Sequence, residues 1–147
     1  FPARQWRALG GAWGIGSDSN VLIDVSEELR LLEYGQRLIH RSRNVLAPFG
    51  GSTGAALFRE ACAGGGRALG VEAGAMRAGV SADIVALRKD ETGVTADTLL
   101  DRWIFARGRS AVEAVWRAGR QCVSDGRHVA RDQVVRSYTN VLAEILA

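Results

Sequence analysis

The sequence predicts an α/β fold on three observations. Residues 10–17 read as a short apolar strand that delivers Asp18 to a polar loop, with a helical pattern beginning at Asp24 or Ser26. Residues 112–128 read as a two-turn β-meander, and residues 132–146 as an amphipathic helix. A helical link follows the first strand, and Asp83 to Leu87 adds a further strand ahead of the meander.

Size and composition narrow the class. The 147 residues, 47% of them hydrophobic, suffice for one globular domain with a core and argue against disorder. A complete β/α barrel takes about 250 residues, so only part of one could be present. The chain opens on Phe1 and not on Met, and it is expected to be a C-terminal fragment of a larger polypeptide. The net charge is +3, but the arginines are dispersed and Lys89 is the only lysine. A nucleic-acid face would show clustered cations with interleaved aromatics, so no nucleic-acid partner is expected. Cys62 and Cys122 stand far apart without CxxC or Cys/His spacing, which suits a reduced cytosolic protein with two small buried thiols. No signal peptide and no apolar run of about 20 residues is visible, so no membrane span is expected.

Taken in order, the first helix runs from Ser26 to about Arg43. Leu29, Leu32, Leu38 and Ile39 make its apolar stripe, and Glu27 and Glu28 suit the positive end of its dipole. Pro48-Phe49-Gly50-Gly51-Ser52 breaks the chain. A second helix spans Thr53 to Ala63 and is expected to stop at Gly64-Gly65-Gly66, before a short helical turn at residues 67–70. Asp83 to Leu87 is a buried strand bounded by Gly79 and by Lys89-Asp90-Glu91. Residues 97–104 form a short helix leading into Trp103-Ile104-Phe105. The meander pairs residues 112–116 with 120–123 through an Ala118-Gly119 turn, and Asp125-Gly126 makes a second turn. In the terminal helix Val134, Val135, Tyr138, Val141 and Leu142 should face inward.

Among candidate sites Asp18 comes first. A carboxylate at a strand end can ligate Zn²⁺ and accept a proton from water, but Asp in a Ser-Asp-Ser-Asn context also caps loops and helices. An EF-hand built on Asp18, Asn20 and Asp24 fails, because Leu29 stands where the closing Glu belongs. Gly14-x-Gly16 has Ser19 at the third fingerprint position, and Gly50-Gly51-Ser52-Thr53-Gly54 lacks the lysine of a P-loop. His40 and His128 have no partner at ligand spacing and read as surface residues, and the four tryptophans read as core or interface anchors.

Together these pieces resemble the C-terminal portion of an amidohydrolase-superfamily enzyme. Gly14-Ile15-Gly16-Ser17-Asp18 resembles the eighth barrel strand with its metal-binding Asp, and residues 67–70 with 79–87 resemble the passage from barrel to a small β-sandwich. Ser81 departs from the Lys or Arg often found there. Within the superfamily, Ser17–Asn20, the helix Glu27–Leu38, Trp103-Ile104-Phe105 and Val115-Trp116 through residues 125–129 are similar to the formimidoylglutamate deiminases of histidine degradation. The resemblance implies the C-terminal part of a β/α (TIM-like) barrel over residues 1–70, most of a β-sandwich module over 71–130, and a C-terminal helix over 131–147. It further implies one divalent metal, usually Zn²⁺, held by two His on the first strand, one on the fifth, and Asp18. Water activated there would attack the formimino carbon of N-formimino-L-glutamate while Asp18 relays the proton, giving N-formyl-L-glutamate and ammonia. His40 and His128 match none of the histidine ligands, so the segment alone is expected to be inactive. The implied partners are a small-molecule substrate, the remainder of the same polypeptide and a second copy in a homodimer, in the cytoplasm. Another deaminase or chlorohydrolase of the superfamily, such as one like guanine deaminase, and a non-catalytic α/β interaction module are the alternatives.

Overall fold

Two long helices dominate the first half of the chain and an antiparallel sheet the second, in a computed structural model that describes residues 1–72, 74–88 and 94–147. Helix α1 (Ala3–Ala8) is short and closes where the amides of Gly10 and Gly11 return to the Arg7 and Trp6 carbonyls at 2.9 Å. Gly10 supplies the left-handed residue of that reversal, at φ +73°. The strand expected at residues 10–17 does not form: residues 11–17 are irregular. A strand exists only through a ladder with a neighbour, and among the described residues no segment pairs with this one.

Helix α2 (Val25–His40) starts at Asp24, whose carboxylate accepts the Ser26 amide at 2.8 Å, and ends at Arg41 in the left-handed region. Ser26, Leu29, Glu33 and Gln36 are buried, three or four residues apart as a helix requires. Leu38 and Ile39, expected on the inner stripe, are 81% and 64% exposed. At about 100° per residue Leu38 lies opposite Leu29, and polar side chains take the inner positions instead. Fully buried Glu33 accepts the amides of Val45 and Leu46 at 3.0 Å and the Arg37 Nε–H at 2.8 Å. Gln36 donates to the Phe1 carbonyl at 2.9 Å. These bonds tie α2 to the loop after it and to the start of the chain.

Helix α3 runs unbroken over Thr53–Leu69, through the three glycines expected to end it, and stops at Gly70 (φ +67°). The glycines serve packing. The backbone of Trp13 lies so close to Gly64 that a Cβ there would meet the Trp13 carbonyl oxygen at 1.8 Å. From the other side, a Cβ at Gly14 would stand 3.2 Å from the Gly65 nitrogen. A helical glycine costs up to about 1 kcal/mol relative to alanine, which the contact offsets.

Helix α4 (Ala96–Arg102) opens with a Thr95–Thr98 capping box and continues into a π-turn, Trp103–Arg107, and a 3₁₀ turn, Gly108–Ala111. The helix expected over residues 97–104 is thus present, extended by a wider turn. The core gathers Trp13, Leu29, Leu46, Leu57, Trp103 and Ile104 between α2, α3 and this turn, with Phe58 edge-on to Trp103 at 5.5 Å.

Strands β1 (Ile84–Leu87), β2 (Val112–Arg117), β3 (Arg120–Ser124) and β4 (Arg127–His128) form one antiparallel sheet in sequential order. The predicted stop at Lys89-Asp90-Glu91 lies outside the described residues. Both expected turns are present, with Ala118, Gly119, Asp125 and Gly126 all at positive φ. Asp83 fastens the first turn to the start of β1, accepting the Ala118 amide at 2.7 Å and the Ser81 hydroxyl at 2.8 Å. Those two bonds hold its carboxyl below the ordinary carboxylate value, with a smaller push from Arg117.

Helix α5 (Arg131–Leu146) forms as expected, but Val134, Val135, Tyr138, Val141 and Leu142 are exposed and not inward-facing. An amphipathic pattern records an apolar face; it buries that face only where another element covers it, and none of the described residues does.

Two outcomes test this packing. Gly64→Ala should destabilise the protein by about 1–3 kcal/mol in urea unfolding, whereas Gly65→Ala, with nothing within 4 Å of its added Cβ, should be neutral or stabilising; equal effects would contradict the close approach. Because Asp83 has a lowered pKa, its bond to the turn is present above the ordinary carboxylate range and is lost as pH falls through its own pKa. The Ala118 amide resonance should therefore titrate below the ordinary carboxylate value, and Asp83→Asn should abolish that titration.

Candidate metal centre

The segment that carries Asp18 is held by its ends. Upstream, the Trp6 indole covers Gly11 and donates to the Ala12 carbonyl at 2.9 Å. The next residue, Trp13, is buried and donates its Nε1–H to Glu60 Oε2 on α3 at 3.0 Å. Glu60 Oε1 receives Arg7 at 2.5 Å, and the same guanidinium donates to the Leu46 carbonyl at 2.8 Å. Ile15 packs against the core. Downstream, the Asn20 amide closes a turn onto the Ser17 carbonyl at 2.8 Å, and its side chain donates to Glu28 Oε1 on α2 at 2.7 Å.

Asp18 sits at the tip of that turn with φ +43°, a left-handed conformation that Asp tolerates better than most side chains. Its carboxylate is exposed and is approached by the Ser19 hydroxyl at 3.4 Å. No cation pairs with it among the described residues. The capping role open to it from sequence belongs to Asp24, which receives the Ser26 amide and hydroxyl at 2.8 and 2.6 Å and approaches the Arg109 amide at 3.4 Å. Asp18 is thus a hard oxygen donor with free lone pairs, the chemistry one position of a Zn²⁺ site requires.

The rest of such a site is not here: among the described residues no three His, Cys, Asp or Glu side chains are arranged to hold a metal. His40 lies at the far end of α2 from Asn20 and Asp18, and His128, on β4, accepts the Ala130 amide at 3.1 Å. The anion position at the start of α3 is filled from within: Ser52 Oγ takes the Ala55 amide at 2.9 Å and Asp101 takes the Gly54 amide at 2.7 Å. Gly14-x-Gly16 is followed by the Asp18 turn, not directly by a helix. Both cysteines are free and half-buried, and burial raises the Cys62 thiol pKa, which keeps it un-ionised at neutral pH. No helix among the described residues is long and apolar enough to cross a membrane.

Sequence reasoning missed Glu33, Glu60 and Asp101, the carboxylates that fix this geometry. The first had a readable signal: an acidic residue spaced four and three residues from Leu29 and Gln36 on the inner face of a helix.

Comparison with known proteins agrees with the resemblance. Over 99% of its length the chain is 44% identical to a formimidoylglutamate deiminase from Pseudomonas aeruginosa, of which it covers 33%. All of it superposes on 33% of a crystal structure of an amidohydrolase from Brucella melitensis, at 48% identity and a TM-score of 0.91. The chain resembles the amidohydrolases. Its mixed helices and antiparallel sheet match a fragment of the amidohydrolase fold, about one third of the length of the relatives it matches. An adenosine deaminase from Xanthomonas campestris, crystallised with bound zinc, shares the fold at a TM-score of 0.76 and 23% identity, covering 98% of the chain and 33% of that structure. No family model matches the chain.

Proposed function

We propose that this chain supplies one metal ligand and proton carrier, Asp18, to a zinc-dependent hydrolase that converts N-formimino-L-glutamate and water to N-formyl-L-glutamate and ammonia. In this reading residues 1–70 belong to the end of a β/α barrel, 71–130 to a small β-sandwich and 131–147 to a terminal helix. The remaining ligands and the groups that grip the substrate come from the polypeptide outside these residues. The observation that carries the proposal is the free carboxylate of Asp18 at the end of a doubly anchored segment. The 44% identity to a formimidoylglutamate deiminase supports the choice of substrate.

A bound Zn²⁺ supplies charge that brings the pKa of water toward neutrality. The work of this chain is to hold and to move a proton. One Asp18 oxygen serves as ligand, and the carboxylate accepts the proton of the water that adds to the formimino carbon. Asp18 then returns that proton to the formimino nitrogen, and the second proton of the water, left on the added hydroxyl, follows the same route as the carbonyl forms, so the nitrogen leaves as ammonia and the carboxylate ends each turnover as it began.

The test uses the intact hydrolase. Asp18→Ala should lower ammonia release from N-formimino-L-glutamate by about 10²- to 10⁴-fold and weaken zinc retention on dialysis; near-normal turnover would contradict the role of Asp18. Turnover of guanine or a chlorotriazine in preference to N-formimino-L-glutamate would move the chain to another amidohydrolase activity.

A further inference from the structure

We infer that Glu60 is a positioning residue for Asp18, acting through Trp13 and resting on the metal-ligand reading above. Glu60 stands on α3, remote in sequence from the Asp18 turn, and touches no candidate ligand itself. Both its oxygens are committed: Oε2 to the Trp13 indole at 3.0 Å and Oε1 to Arg7 at 2.5 Å. Trp13 is in turn pressed onto α3 at Gly64, where its carbonyl oxygen leaves no room for a Cβ. Among the described residues, 14–17 join no helix or ladder, so within this chain the place of the Asp18 carboxylate is set by the contacts of Trp13, Gly14 and Ile15 upstream and of Asn20 downstream. The downstream anchor is the exposed bond from Asn20 to Glu28; the upstream one is half-buried and charge-assisted. Without the Glu60 acceptor the Trp13 ring loses the bond that fixes its orientation, and the upstream anchor of Asp18 is loosened while its backbone contact at Gly64 and the packing of Ile15 remain. A metal ligand must be held to within about 0.5 Å of its productive place, so the loss falls on metal binding before it falls on the fold.

Arg7 and Glu60 are partly exposed, with side chains 23% and 34% accessible, and an ion pair of that kind adds little to stability. This separates a positioning role from a structural one. In the intact protein, Glu60→Ala should weaken zinc affinity by about 10- to 100-fold and alter the visible spectrum of the cobalt-substituted protein, with the urea midpoint close to that of the wild type. Glu60→Gln keeps an oxygen for the Trp13 N–H and should restore most of the affinity. Trp13→Phe removes the same bond from its other end, and its loss should not add to that of Glu60→Ala in the double variant. Asp18→Ala, measured alongside, separates the two claims. If it leaves zinc affinity unchanged, the metal-ligand reading fails and Glu60 has nothing to position. If it abolishes zinc binding while Glu60→Ala and Trp13→Phe, both folded by circular dichroism, bind zinc as the wild type does, the positioning role is overturned.

Discussion

Everything proposed for Asp18 depends on the close approach of two backbones. Trp13 crosses α3 at Gly64 with its carbonyl oxygen where a side chain would begin. The bonds around it radiate from that crossing. Glu60 takes the Trp13 indole and Arg7, and Arg7 reaches the Leu46 carbonyl. The Leu46 amide binds Glu33 on α2, and its side chain is fully buried. One loop residue is therefore gripped through its amide, its carbonyl and its side chain, and α1, α2 and α3 are joined through it. A buried carboxylate with fewer donors would destabilise such a core by several kcal/mol; Glu33 has two amides and a guanidinium.

Much of the architecture was legible in the residues, for reasons that can be named. Helix α2 announces itself through its Glu27-Glu28 first turn, and the meander through Ala118-Gly119 and Asp125-Gly126, whose positive φ values two-residue hairpins demand. Local chemistry decides these features, so local sequence shows them. Three others were decided by contacts distant in sequence. Gly64-Gly65-Gly66 reads as a helix stop until the backbone of Trp13 is seen to need the space. The expected stripe runs through Leu38 and Ile39, whereas Glu33 and Gln36 take inner positions because backbone groups distant in sequence meet them there. Residues 11–17 have the composition of a strand without a neighbour to pair with among the described residues.

The candidate site was legible in one residue and silent about its support. Asp18 could be picked out by type and place, but whether it capped α2 depended on a competitor, Asp24, six residues on, and only the geometry chose between them. Asn20 and Glu28 lie in segments that carry the resemblance and Trp13 reads as an anchor, but nothing local shows that they grip this segment, and Glu60 carries no motif; their roles arise from α2 and α3 meeting on either side of it. The terminal helix shows the same limit. Its apolar face was read correctly as a pattern and wrongly as a buried surface, because periodicity states what a helix can bury and not what covers it.

The central claim is that Asp18 is a metal ligand. Anomalous diffraction at the zinc edge from crystals of the intact zinc-loaded protein tests it most directly. The account predicts one peak about 2.0–2.2 Å from an Asp18 carboxylate oxygen. A fully occupied zinc peak elsewhere, with the Asp18 carboxylate outside its coordination sphere, would contradict it.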